Sequence, residues 1–173
     1  GDRLQMMLNF PVNQRLYYAF ATHDPNPLKR ALRDTIANVP RDAQWVQFLR
    51  SHDELDLGRL TEEQRAKVFN VFAPDPAMQL YNRGIRRRLA PMLGNDRRRL
   101  ELAYSLLFSL PGTPMIQYGD EIGMGEDLSL NEREATRTPM QWTDEPHGGF
   151  TSAKKSVLPV VDGGIFGYQK VNV

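Results

Sequence analysis

Cysteine is absent from the chain of 173 residues. Thiol nucleophiles, disulfides and cysteine-based metal sites are thereby excluded, and the composition suits a reducing compartment, so a cytoplasmic location is expected. Missing too is any apolar run near the ~20 residues that a membrane-spanning helix needs. The opening GDRLQMMLNF has no signal-peptide layout, and no membrane partner is expected. Charge of one sign is also lacking: 22 Lys and Arg stand against 21 Asp and Glu. A net charge of +1 gives no field to draw in nucleic acid. Two tri-arginine runs, 86–88 and 97–99, come without interleaved aromatics and read as solvated helix faces. Histidine occurs only at His23, His52 and His147, too widely spaced to favour a divalent-metal phosphoesterase.

What is present is ordinary globular composition, 40% hydrophobic and 25% charged, enough for a sizeable core. The length fits one domain, or a large part of a barrel of roughly 250 residues. No repeat or low-complexity linker interrupts residues 1–173, which read as one unit. Three short apolar runs have strand length. LQMMLNF stops at Pro11 and reads as a buried strand, QWVQFL covers 44–49, and PMIQY covers 114–118. Helical spacing appears in PLKRALRDTIANV, with Asn26 placed to cap and Pro27 at the first helical position. TEEQ at 61–64 is a capping box that opens a helix ending by Pro74. AMQLYNRGIRRRLAPML has a helical pattern interrupted by Gly84 and Pro91, so a broken or kinked element is expected. In NDRRRLELAYSLLFSL, Asn95 is the expected cap, and three arginines in the first turn oppose the helix dipole, which suggests carboxylate partners elsewhere in the fold.

Strands alternating with helices point to a parallel α/β architecture, in which the C-terminal ends of strands carry the chemistry. Two connections leaving such ends are long, 51–95 and 119 onward, and segments of that length act as lids or binding loops. His52, Asp53 and Glu54 follow the second strand, and Asp120 and Glu121 follow the third, so parallel strands would bring them to one rim. For Asp53 both a catalytic role and a capping role fit the local sequence. His23-Asp24 repeats the dipeptide ahead of a Pro-Asn-Pro turn, where aspartate bonds to local backbone; that pair reads as structural. TRTPMQW at 136–142 places Arg137, Gln141 and Trp142 close together. Trp142 reads equally as a sugar-stacking surface and as a loop anchor, while the planar fork of Arg137 suits a carboxylate partner.

Taken together, FLRSHDEL, GIRRRLAPML, LLFSLPGTPMIQYGDEIGMG and RTPMQW resemble the α-amylase superfamily of glycoside hydrolases and transglycosylases. The stretch from AQWVQFLRSHDEL through GIRRRLAPMLGNDRRR is most similar to the branch that isomerises maltose to trehalose. Hydrolases of the oligo-1,6-glucosidase type share the other stretches but are not expected to carry GIRRRLAP. The resemblance implies the C-terminal portion of a (β/α)8 TIM barrel, with the strands read here as six to eight. Earlier strands bearing the nucleophile and acid/base would precede Gly1, and the last barrel helix and a C-terminal β-domain would follow GYQKVNV. It further implies that Asp53 is the third catalytic carboxylate, that His52 binds the same sugar, and that Arg137 closes the glucose pocket by pairing with a carboxylate upstream. Maltose and trehalose are the implied small-molecule partners, with the rest of the polypeptide needed to close the barrel. No organic cofactor is implied; Ca2+ is common in the superfamily, but no ligand cluster is assignable. One departure is Gln117, where an aromatic residue is usual before YGDE. An α-glucosidase-type hydrolase and a non-catalytic carbohydrate-binding segment remain the alternatives.

Overall fold

The computed structural model describes residues 3–173; the reading of the opening segment extends over Gly1 and Asp2, which lie outside the described residues. The first strand, β1 (Met6–Leu8), leads into Asn9, whose side-chain oxygen accepts from the Val12 amide and starts α1 (Phe10–Thr22). Pro11 lies in the first turn of α1, where a missing N–H leaves no hydrogen bond unmade. The proline that ends the strand also begins a helix that the sequence reading lacks. Met6 and Leu8 are exposed, so β1 is not the buried strand expected: it forms one edge of its sheet and has a neighbour on one side only.

His23 closes α1 in the left-handed conformation with φ 56°, and Asp24 Oδ1 accepts from the Asn26 amide at 3.0 Å. The structural reading of that pair holds. α2 (Asn26–Ala37) begins with Asn26 inside the helix; Pro25 occupies the cap position without a side-chain bond. There follow β2 (Gln44–Phe48), β3 (Leu55–Asp56) and α3 (Glu62–Phe72). The capping box at Thr61 and Gln64 forms reciprocally. Beyond it, β4 (Gln79–Leu80) and β5 (Gly84–Ile85) make a hairpin, with Tyr81 and Asn82 at φ 55° and 56°. Positive φ at both central residues defines a type I′ turn, whose twist matches the flanking strands. This hairpin replaces the kinked helix expected there; of that stretch only α4 (Leu89–Met92) is α-helical, with a 3-10 turn at Pro76–Met78 ahead of β4.

α5 (Arg97–Ser109) is capped by Asp96, whose Oδ1 accepts from the Arg98 and Arg99 amides, while Asn95 turns into the left-handed region. The aspartate supplies negative charge at the end of the helix that the arginines burden. Arg97 pairs with Glu101 one turn along at 2.7 Å, not with a carboxylate elsewhere in the fold. Residues 97–99 are exposed, as expected, whereas Arg88 is fully buried and Arg86 and Arg87 are half-buried. The first arginine run is therefore not a solvated helix face.

After α5 comes β6 (Thr113–Met115). Strands β1, β2 and β6 form a parallel sheet in that order, with Met6 opposite Gln44 and Phe48 opposite Met115. β3, β5 and β4 form a small antiparallel sheet on the connection between β2 and α5. Both sheets are open. The core runs from Val12, Leu16 and Tyr17 of α1 to Leu55, Phe72 and Ile85, with Tyr17 edge-on to Phe72 at 5.6 Å. Among the described residues no helix is long and apolar enough to cross a membrane. Thr61→Ala removes an N-cap and is expected to cost ~1 kcal/mol, read as a lower urea midpoint with an unchanged m-value; an unchanged midpoint would show that the box contributes nothing net.

Candidate active site

Beyond Phe48 the β2 backbone leaves its sheet, and α1 receives it. Asn13 Nδ2 donates to the carbonyls of Phe48 at 2.7 Å and Leu49 at 3.1 Å, and the Tyr17 hydroxyl donates to the Leu49 carbonyl at 3.0 Å. Burial pushes the Tyr17 hydroxyl far above its ordinary pKa, so it stays a donor. The chain so held presents His52 and Asp53, with side chains 70% and 41% exposed and the imidazole Nε2 3.6 Å from Asp53 Oδ2.

The other half of the constellation comes from the connection after β6. Arg137 Nη2 donates to Asp53 Oδ1 at 3.0 Å and Arg137 Nε to the His52 carbonyl at 2.9 Å. Arg133 Nη1 lies 3.3 Å from the same Asp53 Oδ1. The remainder of the Arg133 fork engages Glu54, at 2.6 Å from Nε and 3.3 Å from Nη2; this bond to Glu54 raises the Arg133 pKa further. Gly84 lies against Glu54: a Cβ there would meet Glu54 Cγ at 2.5 Å, which accounts for glycine in β5. Arg133 also sits over the Tyr81 ring at the hairpin tip, 5.8 Å from its centroid, and the Tyr81 hydroxyl donates to Glu132 at 2.7 Å. The two long connections are thus joined directly above β2.

Arg137 is itself held from below on both sides. Gln117 Nε2 donates to the Thr136 carbonyl at 3.1 Å, and the Tyr118 hydroxyl to the Thr138 carbonyl at 2.8 Å. The amide at 117, where an aromatic residue is usual, therefore serves the Arg137 backbone. Beside Arg137 an open groove of 560 Å³ is lined by Tyr118, Glu121, Trp142, Phe150 and Leu158. The Trp142 ring is half-exposed in it. Anchoring of this loop falls to the buried Met140 and Gln141, whose Nε2 donates to the Phe166 and Val171 carbonyls.

Asp53, His52 and Arg137, all named from sequence, come together; Asp120 does not join them. Its carboxylate turns inward to Arg88 Nη1 at 3.0 Å, and only Glu121 reaches the groove. Arg133 and Tyr81 were not legible as site residues, although NERE ends one residue short of TRTPMQW and Arg133 is its only cation. Among the described residues no group of three or more His, Asp or Glu side chains could hold a metal ion, so no calcium ligand is assigned.

Residues 77–173 match the family model of the α-amylase catalytic domain, and the chain belongs to that family. Over its whole length it is 45% identical to a trehalose synthase of Thermus thermophilus, covering 18% of it. It is also 45% identical to a trehalose synthase/amylase of Mycolicibacterium smegmatis, covering 29% of it. The chain thus spans less than a third of these relatives. A crystal structure of alpha-amylase from H. orenii shares the fold with a TM-score of 0.53 at 20% identity, over 95% of this chain and 29% of that one.

Burial lifts the Asp120 carboxyl from its ordinary 3.8 to about 6, against the pull of Arg88 and Arg50. Between these values the folded chain holds more protons than the unfolded one, so Asp120 subtracts stability as pH rises from 3.8 to about 6. The melting temperature of Asp120→Asn relative to wild type should therefore rise across that window; a constant difference would show that Asp120 titrates normally.

Proposed function

We propose that this chain forms part of the catalytic domain of an enzyme that converts maltose to trehalose by intramolecular glucosyl transfer. The observation that carries the reading is the Asp53 carboxylate, fixed at Oδ1 by Arg133 and Arg137 and open towards His52 at Oδ2. Identity of 45% to trehalose synthases over the whole chain supports the choice of substrate. In this reading β1, β2 and β6 are barrel strands six, seven and eight. The nucleophile and the acid/base then lie outside residues 1–173, and the rest of the polypeptide closes the barrel. On its own the segment is inactive.

Each group then has a defined task. Asp53 Oδ2 accepts hydroxyl protons of the glucosyl ring, and His52 binds the same ring. These contacts tighten as the ring flattens towards the oxocarbenium-like transition state, so they accelerate the reaction more than uniform binding would. Arg137 bounds the pocket beside them. The nucleophile takes glucose from maltose, the freed glucose turns within the pocket, and its anomeric hydroxyl attacks the glucosyl-enzyme to form the α,α-1,1 bond. Transfer requires water to be kept out, and the joined connections over β2 are placed to do so. No organic cofactor takes part. Lack of cysteine suits a cytoplasmic site of action.

The full polypeptide incubated with maltose should release trehalose; glucose as sole product would move the assignment to an α-glucosidase, and no product would favour a non-catalytic role. Asp53→Asn should lower turnover on the order of 10²–10³-fold with the circular dichroism spectrum retained. Near-normal turnover in that variant would remove Asp53 from the mechanism.

A further inference from the structure

Beneath Asp53 lies a cation that has no carboxylate of its own among the described residues. Arg50 is 1% exposed and spends its hydrogen bonds on carbonyls: Nε donates to that of Arg87 at 2.7 Å and Nη2 to that of Asp53 at 3.0 Å, while Nη1 has no partner among the described residues. The nearby carboxylates are engaged elsewhere, Asp120 with Arg88 and Glu126 with Arg87. Burial accordingly lowers the Arg50 pKa, with Tyr17, Asp120 and Glu126 opposing the shift and Arg88 adding to it. A buried charge without a paired carboxylate adds little to stability through its charge, and an apolar side chain of similar length can fill the same space but leaves two carbonyls without a donor. What the apolar chain cannot do is bridge two carbonyls. A lysine cannot reproduce that fork either, since its ammonium is a single point at the end of a flexible stem.

We propose that Arg50 is a positioning residue for Asp53. It ties the Asp53 main chain to residue 87, which is fixed in turn by the bond from Arg87 Nε to Glu126 at 2.8 Å and from Arg87 Nη1 to the Phe72 carbonyl at 3.0 Å. Held at its carbonyl, Asp53 can aim Oδ1 only at Arg133 and Arg137, and Oδ2 stays free for a sugar hydroxyl. The inference rests on the sugar-gripping role given to Asp53 above and adds the residue that sets its direction.

The test uses the full polypeptide with maltose as substrate, comparing wild type with Arg50→Met, Arg50→Lys, Asp53→Asn and the surface control Arg97→Met. Arg50→Met is expected to lower the melting temperature only modestly, for the two carbonyls left without a donor, while kcat falls about tenfold to hundredfold with little change in KM. Arg50→Lys should lose kcat similarly, and Arg97→Met should match wild type. Normal kcat in Arg50→Met, full activity in Arg50→Lys, or a loss no larger than the loss of folded protein overturns the inference. Should Arg50→Met not fold, Arg50→Lys decides alone. Wild type inert towards maltose defeats the underlying reading and this inference together; active wild type and inactive Asp53→Asn beside normal Arg50 variants defeats this inference only.

Discussion

The carbonyls that leave the sheet at the end of β2 need donors, and the placement of the site depends on how that need is met. A buried carbonyl without a partner costs on the order of 1–3 kcal/mol, and here the carbonyls of Phe48, Leu49 and Asp53 are at stake. Asn13 serves Phe48 and Leu49, Tyr17 serves Leu49 again, and Arg50 serves Asp53. All three donors are buried, so none is loosened by exchange with water. The exit from the strand therefore follows α1, and α1 follows from Asn9 and Pro11 at its start.

Arginine recurs wherever the two long connections meet, and its geometry accounts for the choice. Arg86 alone holds three carbonyls, those of Ala77, Leu128 and Leu130. Arg87 joins Glu126 to the end of α3, and Arg88 joins the Tyr118 carbonyl to Asp120. Each contact uses separate N–H groups of one rigid plane, which a lysine cannot offer. The net stability of such buried pairs is small because desolvation offsets attraction. What the pairs supply is direction: the segment after β6 can lie over the β2 exit in one register.

Most elements specified by nearby residues were legible in the sequence, α1 excepted, and those specified only by distant ones were not. The capping box at Thr61 and the local role of Asp24 rest on contacts within a few positions, and β2 and β6, though paired with distant strands, show through the aromatic, β-branched and apolar residues of their own short runs. The hairpin of β4 and β5 has strands of two residues, too short for any period to show, and its glycine is required by Glu54 thirty positions earlier in the chain. Placement of Arg87 and Arg88 depends on Glu126 and Asp120, which no local pattern reveals. Of the site, His52, Asp53 and Arg137 stand in motifs; Arg50 also stands in FLRSHDEL, but it and Arg133 acquire a role only through what the fold sets beside them.

Asp53 and Glu54 show why a pair of adjacent carboxylates need not share a role. Asp53 lies in a bend and Glu54 leads from it into β3, so the two side chains part. Glu54 enters β3 pointing inward, its side chain 4% exposed, and takes the strong part of the Arg133 fork. Asp53 points outward and receives only the remaining arm of that arginine, together with Arg137, both at Oδ1. Because Glu54 satisfies most of Arg133, Asp53 is not drawn wholly into an ion pair, and one of its oxygens keeps lone pairs facing His52 and solvent. A carboxylate so arranged is rigid on one side and unsatisfied on the other, which is the condition for gripping a neutral polyhydroxyl ligand without being neutralised by its own protein.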